Sequence, residues 1–228
     1  MEGLKNSNDI KNIFYINLNR RIDRKQHVET QLNLLNWQAH RFPAILNKFG
    51  ALGCSLSHLT LLRYAKHNNL DHILILEDDV TFLDPKLFLN SLNFFLENHK
   101  DFDVLLLAGN NMGDYKMIDN CCVKVSHCQT TTAYLVKCHY YDTLIDNYQK
   151  GINLLTQNPS KSNLFAIDQY WGTLQISHKW YLLTPLTVVQ RPDISDIERR
   201  PTDYRNIMLD LDKSNLRRND FNFKKLNF

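Results

Sequence analysis

Apolar positions along the chain follow two rhythms. Short unbroken runs recur, among them NIFYINL at 12–18, HILIL at 72–76 and DVLLLAG at 103–109. Runs of this kind predict strands buried on both faces of a largely parallel sheet. Between them the spacing changes to three and four residues. Val28, Leu32 and Leu35 predict a helix over 23–35, and CSLSHLTLLRYAKHNN predicts one that leads directly into the HILIL strand. Phe88, Leu92, Phe95 and Leu96 supply the buried face of a helix whose start is marked by Asp84-Pro85, a cap followed by proline at the first helical position. Tyr141, Leu144, Ile145 and Tyr148 share one face of a later helix, and another opens near Asp168, burying Tyr170, Trp171 and Leu174.

Further strands are expected at 37–42, closed by Pro43, at 121–125, 133–136 and 180–183, and through Gln190 after a turn at Pro185. Gly50 and Gly53 look like punctuation before a helix, and GINLLTQNPSKSN is the most loop-like stretch. Strands alternating with helices predict an α/β fold with a central sheet flanked by helices. The hairpin-like middle makes that sheet mixed, though mostly parallel.

The HILIL run ends in three consecutive carboxylates, Glu77, Asp78 and Asp79. In open α/β sheets ligands bind at the carboxyl ends of the strands. Adjacent acids there repel one another unless a cation lies among them, and hard oxygen donors suit Mn²⁺ or Mg²⁺ carrying substrate phosphates. A solvated loop or helix cap is the alternative. Glu77-x-Asp79-x-Thr81 also has the outline of a DxDxT phosphohydrolase motif, but glutamate at its first position sets the attacking oxygen about one methylene too far.

Composition narrows the choice. The 228 residues, 43% hydrophobic and 22% charged, describe an ordinary globular chain. The seven glycines include no GxGxxG and no GxxxxGK[ST], so phosphate must be held by metal, side chains or a helix end. No apolar run reaches the roughly 18–20 residues of a membrane span, and the polar start lacks a signal-peptide core, so a cytoplasmic location is expected. The net charge of +3 is unevenly spread. Residues 199–228 hold eight Lys or Arg against four Asp, leaving the body near neutral and without a nucleic-acid footprint. The expected organisation is one domain over 1–198 and a basic tail over 199–228. The tail packs on the domain or is partly flexible, with peripheral contact to an anionic membrane as the alternative.

Other candidates are scattered. Arg20, Arg21 and Arg24 follow the first strand, where guanidinium groups suit phosphate oxygens. Ser55, Ser57 and His58 lie on the helix before the acidic strand. Asp168, among apolar and aromatic neighbours, is expected to have a raised pKa, which suits a general base, or to cap a helix. Asp193 and Asp196 either ligate metal or cap a terminus. Cys121, Cys122, Cys128 and Cys138 with His127 and His139 lack a CxxC, and neighbours in a strand point to opposite faces, so unligated thiols are expected. Five cysteines in all favour a reduced chain.

Taken in order, IFYINLNRRIDR, GALGCSLSH, ILILEDDV, TTTAYLV, IDQYW and PLTVVQRPDISDI resemble glycosyltransferase family 25 over residues 12–198. The resemblance implies a nucleotide-diphospho-sugar transferase fold of the GT-A type. It implies an inverting enzyme, usually dependent on Mn²⁺ (or Mg²⁺), that moves a hexose such as galactose or glucose from a UDP-sugar to a glycan, glycolipid or hydroxylated protein. It makes Asp79 a metal ligand, and Asp78 a ligand of metal or ribose. Asn17, Arg20 and Arg24 fall near the nucleotide, Gly53, Ser57 and His58 line the donor pocket, and Asp168 becomes the general base. A catalytically silent sugar-nucleotide or glycan-binding module and a Mg²⁺-dependent phosphohydrolase are the alternatives.

Overall fold

A computed structural model describes residues 3–213. The tail positions Phe221, Phe223 and Phe228 lie outside the described residues. In chain order the strands are β1 (Ile13–Asn17), β2 (His40–Pro43), β3 (His72–Glu77), β4 (Val80–Phe82), β5 (Val104–Leu106), β6 (Asn110–Asn111) and β7 (Tyr115–Met117). They continue as β8 (Cys122–Val125), β9 (Cys128–Gln129), β10 (Ala133–Lys137), β11 (Trp180–Leu183), β12 (Val188–Gln190), β13 (Asp193–Ile194) and β14 (Pro201–Thr202). The α-helices are α1 (Ile22–Leu34), α2 (Gly50–His67), α3 (Pro85–Asn98), α4 (Tyr141–Gln157), α5 (Ser162–Phe165), α6 (Ile167–Tyr170), α7 (Gly172–Gln175) and α8 (Arg205–Met208).

Eight strands form the central sheet in the order β2-β1-β3-β10-β5-β11-β8-β7. All but β8 and β10 run in one direction, as their pairings require. The sheet is therefore mixed and mostly parallel. Strand β3 sits near its middle and is buried on both sides. Leu74 and Leu76 face a core shared with Val28 and Leu32 of α1 and Phe88, Leu92 and Phe95 of α3. Ile73 and Ile75 face a second core with Leu59 and Leu62 of α2, Leu144 and Tyr148 of α4, and Trp171. The side-chain alternation of a strand assigns the two pairs to opposite faces.

Two short stretches differ from expectation. Gly50 and Gly53 do not interrupt the chain; they form the first turn of α2, and none of the described glycines has positive φ. Their small size serves close approach. A Cβ on Gly53 would lie 2.5 Å from the Ile45 carbonyl oxygen, and one on Gly50 2.8 Å from the Ile197 backbone. Similarly, residues 151–157 of the loop-like stretch are the last two turns of α4. Gly151 lets the helix pass the Phe165 carbonyl and Tyr170, while Ile152 and Leu155 are buried. Asp84 caps α3 as expected, accepting from the Leu87 N–H at 2.9 Å, with Pro85 following.

A Gly53→Ala change gains roughly 1 kcal/mol of helix propensity. The clash with a backbone oxygen outweighs it, so the variant should be less stable by about 1–3 kcal/mol, a typical cost of overpacking. Urea denaturation measures this, with Gly3→Ala as the neutral control because no described residue comes within 4 Å of its Cβ position.

Candidate active site

The register of the sheet brings the first group of residues together. Ile16 of β1 pairs with Glu77 of β3, so Asn17 falls beside Asp78. Asn17 Nδ2 donates to Asp78 Oδ2 at 2.7 Å and to the Arg21 carbonyl at 3.0 Å, while its Oδ1 accepts from Arg41 Nε at 2.9 Å. Asn17 is 1% exposed and stands behind the cavity wall, orienting Asp78, where the sequence pointed to nucleotide contact.

Arg24 of α1 lies across both aspartates. Its Nη1 is 3.1 Å from Asp78 Oδ1 and 3.1 Å from Asp79 Oδ2, and its Nε donates to Asp193 Oδ2 at 3.0 Å. Burial opposes the Arg24 charge, but Asp79 and Asp78 outweigh it and raise its pKa. One cation does not satisfy both acids. Asp79 Oδ1 is buried with no hydrogen-bond partner among the described residues. Burial, reinforced by the Glu77 charge and opposed by Arg24, pushes Asp79 up to about 8. Burial also raises Asp78, against Arg24 and Asn17. This donor set fits a hard divalent cation: an unpartnered carboxylate oxygen beside a second carboxylate, in a site that disfavours the pair's negative charge.

Glu77 has a different place. Its carboxylate accepts from the Thr131 hydroxyl and from Gln190 Nε2 at 3.3 Å, and lies 3.4 Å from His58 Nε2. Burial works against its ionisation, yet His58 and Thr131 hold its pKa below the usual value. So placed, Glu77 ties α2, the β9–β10 loop and β12 together, and is not poised as a nucleophile. His58 is fully buried, with Nδ1 2.8 Å from the Tyr134 hydroxyl. Cys54, one turn earlier on α2, joins His58 and Glu77 with potential ligand atoms within 4.8 Å of one another. Burial and the Glu77 charge keep the Cys54 thiol well above its ordinary pKa, so it is neutral and less suited to a phosphate-bearing metal than the aspartates. Ser57 donates to the Gly53 carbonyl and accepts from the Ile45 N–H, fixing the loop that enters α2.

The second group comes from α6 and the loop that leads into β10, the neighbour of β3 in the sheet. Asp168 lies in the first turn of α6, one position inside the helix, so it is not the cap. Its Oδ2 accepts from the Thr130 N–H at 3.2 Å and from Gln169 Nε2 at 3.3 Å. Thr130 holds φ 74°, a left-handed conformation unfavourable for a β-branched residue. Burial, more than its hydrogen bond from Thr130 offsets, raises the Asp168 pKa, and the Glu77 charge adds to the rise.

The third group is the segment after β12. This strand pairs antiparallel with β4, and the Arg191 N–H donates to the Asp79 carbonyl at 2.8 Å. Asp193 accepts from Arg21 and Arg24, and Asp196 from Arg20 and Arg21. Both acids are thus engaged by arginines that follow the first strand.

These groups surround one cavity of about 610 Å³. Arg20, Arg24, Asp78 and Asp79 line it together with Gly53, Ser57, His58 and Asp168; of the candidates singled out around them, Asn17, Arg21 and Asp193 stand behind the wall. Cys54, Thr130, Gln190, Arg191 and Tyr204 also line it and were not singled out from the sequence. Of these, Arg191 had a signal in its place within the RPDISDI run.

A mixed, mostly parallel sheet thus carries an acid pair just beyond the carboxyl end of a central strand, with the cavity beside it. The chain belongs to glycosyltransferase family 25, whose profile, described as glycosyltransferase family 25 (LPS biosynthesis protein), matches residues 48–162. Solved structures similar to it include a mannose-1-phosphate geranyltransferase from Thermus thermophilus, at 10% identity and a TM-score of 0.42 over 75% of this chain. The chain spans 58% of that protein's length. A glycosyltransferase involved in the glycosylation of the major capsid of PBCV-1 is similar at 9% identity and a TM-score of 0.39, over 76% of this chain and 92% of that one. No curated protein matches the sequence.

Arg24→Ala leaves three carboxylates without their shared cation. Breaking a buried ion pair in this way costs about 3–5 kcal/mol. We expect a fall of that order in unfolding free energy, partly restored by millimolar Mn²⁺, as measured by thermal and urea denaturation.

Proposed function

We propose that the protein is an inverting, UDP-sugar-dependent hexosyltransferase, with a divalent cation on Asp78 and Asp79 and Asp168 as general base. The observation that carries this reading is the convergence of the acid pair and Asp168, 89 positions apart in the chain for Asp79 and Asp168, on one cavity. Mn²⁺ or Mg²⁺ is the expected ion, and galactose or glucose the expected sugar. When bound, the cation supplies charge stabilisation for the departing diphosphate.

The chain's own groups have separate tasks. Arg20 and Arg24 offer guanidinium groups to phosphate oxygens at the end of β1. Asn17 fixes Asp78, and Glu77 fixes the neighbouring walls. Asp168 takes the proton of the acceptor hydroxyl as its oxygen attacks the anomeric carbon, and the bond from that carbon to the UDP oxygen breaks with inversion. The raised pKa of Asp168 makes it a stronger base than an exposed aspartate. The acceptor is a glycan, glycolipid or protein hydroxyl. No helix among the described residues is long and apolar enough to cross a membrane. The enzyme fits a cytoplasmic role on an acceptor presented from solution or from a membrane surface.

Asp79→Ala should abolish transfer and metal-dependent UDP binding. Asp168→Asn should abolish transfer and leave UDP affinity nearly unchanged; loss of UDP binding in that variant would remove the base assignment. Calorimetric titration with UDP and Mn²⁺, alongside UDP release from UDP-galactose and UDP-glucose, separates these outcomes. A binding module would take up the donor without releasing UDP in the presence of acceptor extracts.

Because Asp168 must be deprotonated to act and its pKa is raised, activity falls as pH drops through that raised value. The acidic limb of the kcat profile should therefore lie above the ordinary aspartate value of about 3.9. A limb at or below that value would argue against Asp168.

A further inference from the structure

At the far edge of the sheet, away from the cavity, four potential metal ligands from two elements meet. His99 follows the C-terminus of α3, Asp119 and Cys121 lie in the turn between β7 and β8, and Cys122 opens β8. One ligand atom from each lies within 4.8 Å of all the others. None of the four lines the donor cavity.

We propose that His99, Asp119, Cys121 and Cys122 bind a structural Zn²⁺. Strand alternation does not separate the two sulfurs, because Cys121 precedes β8 and only Cys122 belongs to it. Asp119 shapes the turn by accepting the N–H groups of Cys121 and Cys122 at 2.8 and 3.1 Å through Oδ1. Its Oδ2 lies 2.6 Å from His99 Nε2. The His99 ring is held by Phe95, centroid to centroid at 5.0 Å. A tetrahedral zinc with bonds of about 2.0–2.3 Å sets its ligands roughly 3.3–3.8 Å apart. The 4.8 Å bound on the present cluster lies about 1 Å beyond that spacing.

The chemistry selects the metal. Two sulfurs and one imidazole suit zinc, not the hard ions expected in the donor cavity. Four protein ligands leave no open position, which marks a structural and not a catalytic centre. Both cysteines are buried, whereas His99 and Asp119 are partly exposed and give the ion a way in. Without metal the Cys122 thiol is pushed up to about 12 by burial and the Asp119 charge, and Cys121 is raised further. On binding, each thiol releases its proton to solvent as its sulfur ligates the ion. The site would clip α3 to the β7–β8 turn.

The test uses the full chain, purified from zinc-supplemented cells without chelator and assayed for metal, then stripped and titrated with Co²⁺. We expect one zinc per chain, the intense charge-transfer bands of a tetrahedral cobalt–thiolate complex, and a rise in Tm of the stripped protein on adding zinc. Cys121→Ser/Cys122→Ser should lose all three. His99→Asn, at a partly exposed position that leaves the core intact, should weaken zinc binding at least tenfold. Cys138→Ser, an exposed thiol outside the cluster, and Asp79→Ala in the cavity should both keep the metal. Absence of thiolate bands in the wild type, equal zinc in the double variant, or a Cys121–Cys122 disulfide in the purified protein would overturn the proposal.

Discussion

The buried charges around Arg24 govern the arrangement of this protein. Asp78 and Asp79 follow a strand that is covered on both faces and are themselves largely buried, and one guanidinium serves both. The same guanidinium holds Asp193, and Asp193 also pairs with Arg21 and Arg191. An isolated buried carboxylate is costly, and removing its partner is worse than never having the pair. The first strand–helix unit, the central strand and the segment after β12 are therefore held in one relative position by the need to balance charge. Among the described residues, the Asp79 Oδ1 oxygen is left buried without a hydrogen-bond partner, so the balance around this acid pair is incomplete.

The strain on the opposite wall belongs to the same design. Thr130 keeps a left-handed backbone that costs of order 1–3 kcal/mol, and in return its N–H meets Asp168. That hydrogen bond and the one from Gln169 hold Asp168 without cancelling the effect of burial, so its pKa stays raised. Glu77 links the two walls through Thr131, His58 and Gln190. Three adjacent acids thus divide their tasks according to which neighbours the strand alternation and the register give them.

Much of this is legible in the chain before any geometry. The apolar run of β3 followed by three acids already predicts a buried strand that ends in carboxylates, and the structure places them beside the cavity. Asp168 stands out by its apolar and aromatic neighbours. What stays hidden depends on pairing between distant segments. Asn17 reads as a nucleotide contact, yet the parallel register turns it to Asp78. Gly50 and Gly53 read as a break, because a sequence cannot distinguish a glycine that turns from one that lets backbones touch. Residues 151–157 read as loop, since glycine and polar residues mask the helix that Ile152 and Leu155 bury. His99 and Asp119 are not associated with the cysteines in sequence, for no spacing rule joins a helix end to a hairpin turn.

The pairing of β12 with β4 has a consequence for how the molecule is made. Strand β4 follows the acids at once, but its partner and the wall formed by Arg191, Tyr204 and Met208 come more than a hundred residues later. Chains are synthesised from the N-terminus, and earlier segments fold first. A growing chain can therefore assemble β1, β3 and the acid pair while the cavity still lacks a side. The cavity closes only when the last described stretch has left the ribosome, so a truncated or stalled product would carry the acid pair and lack a complete pocket around it.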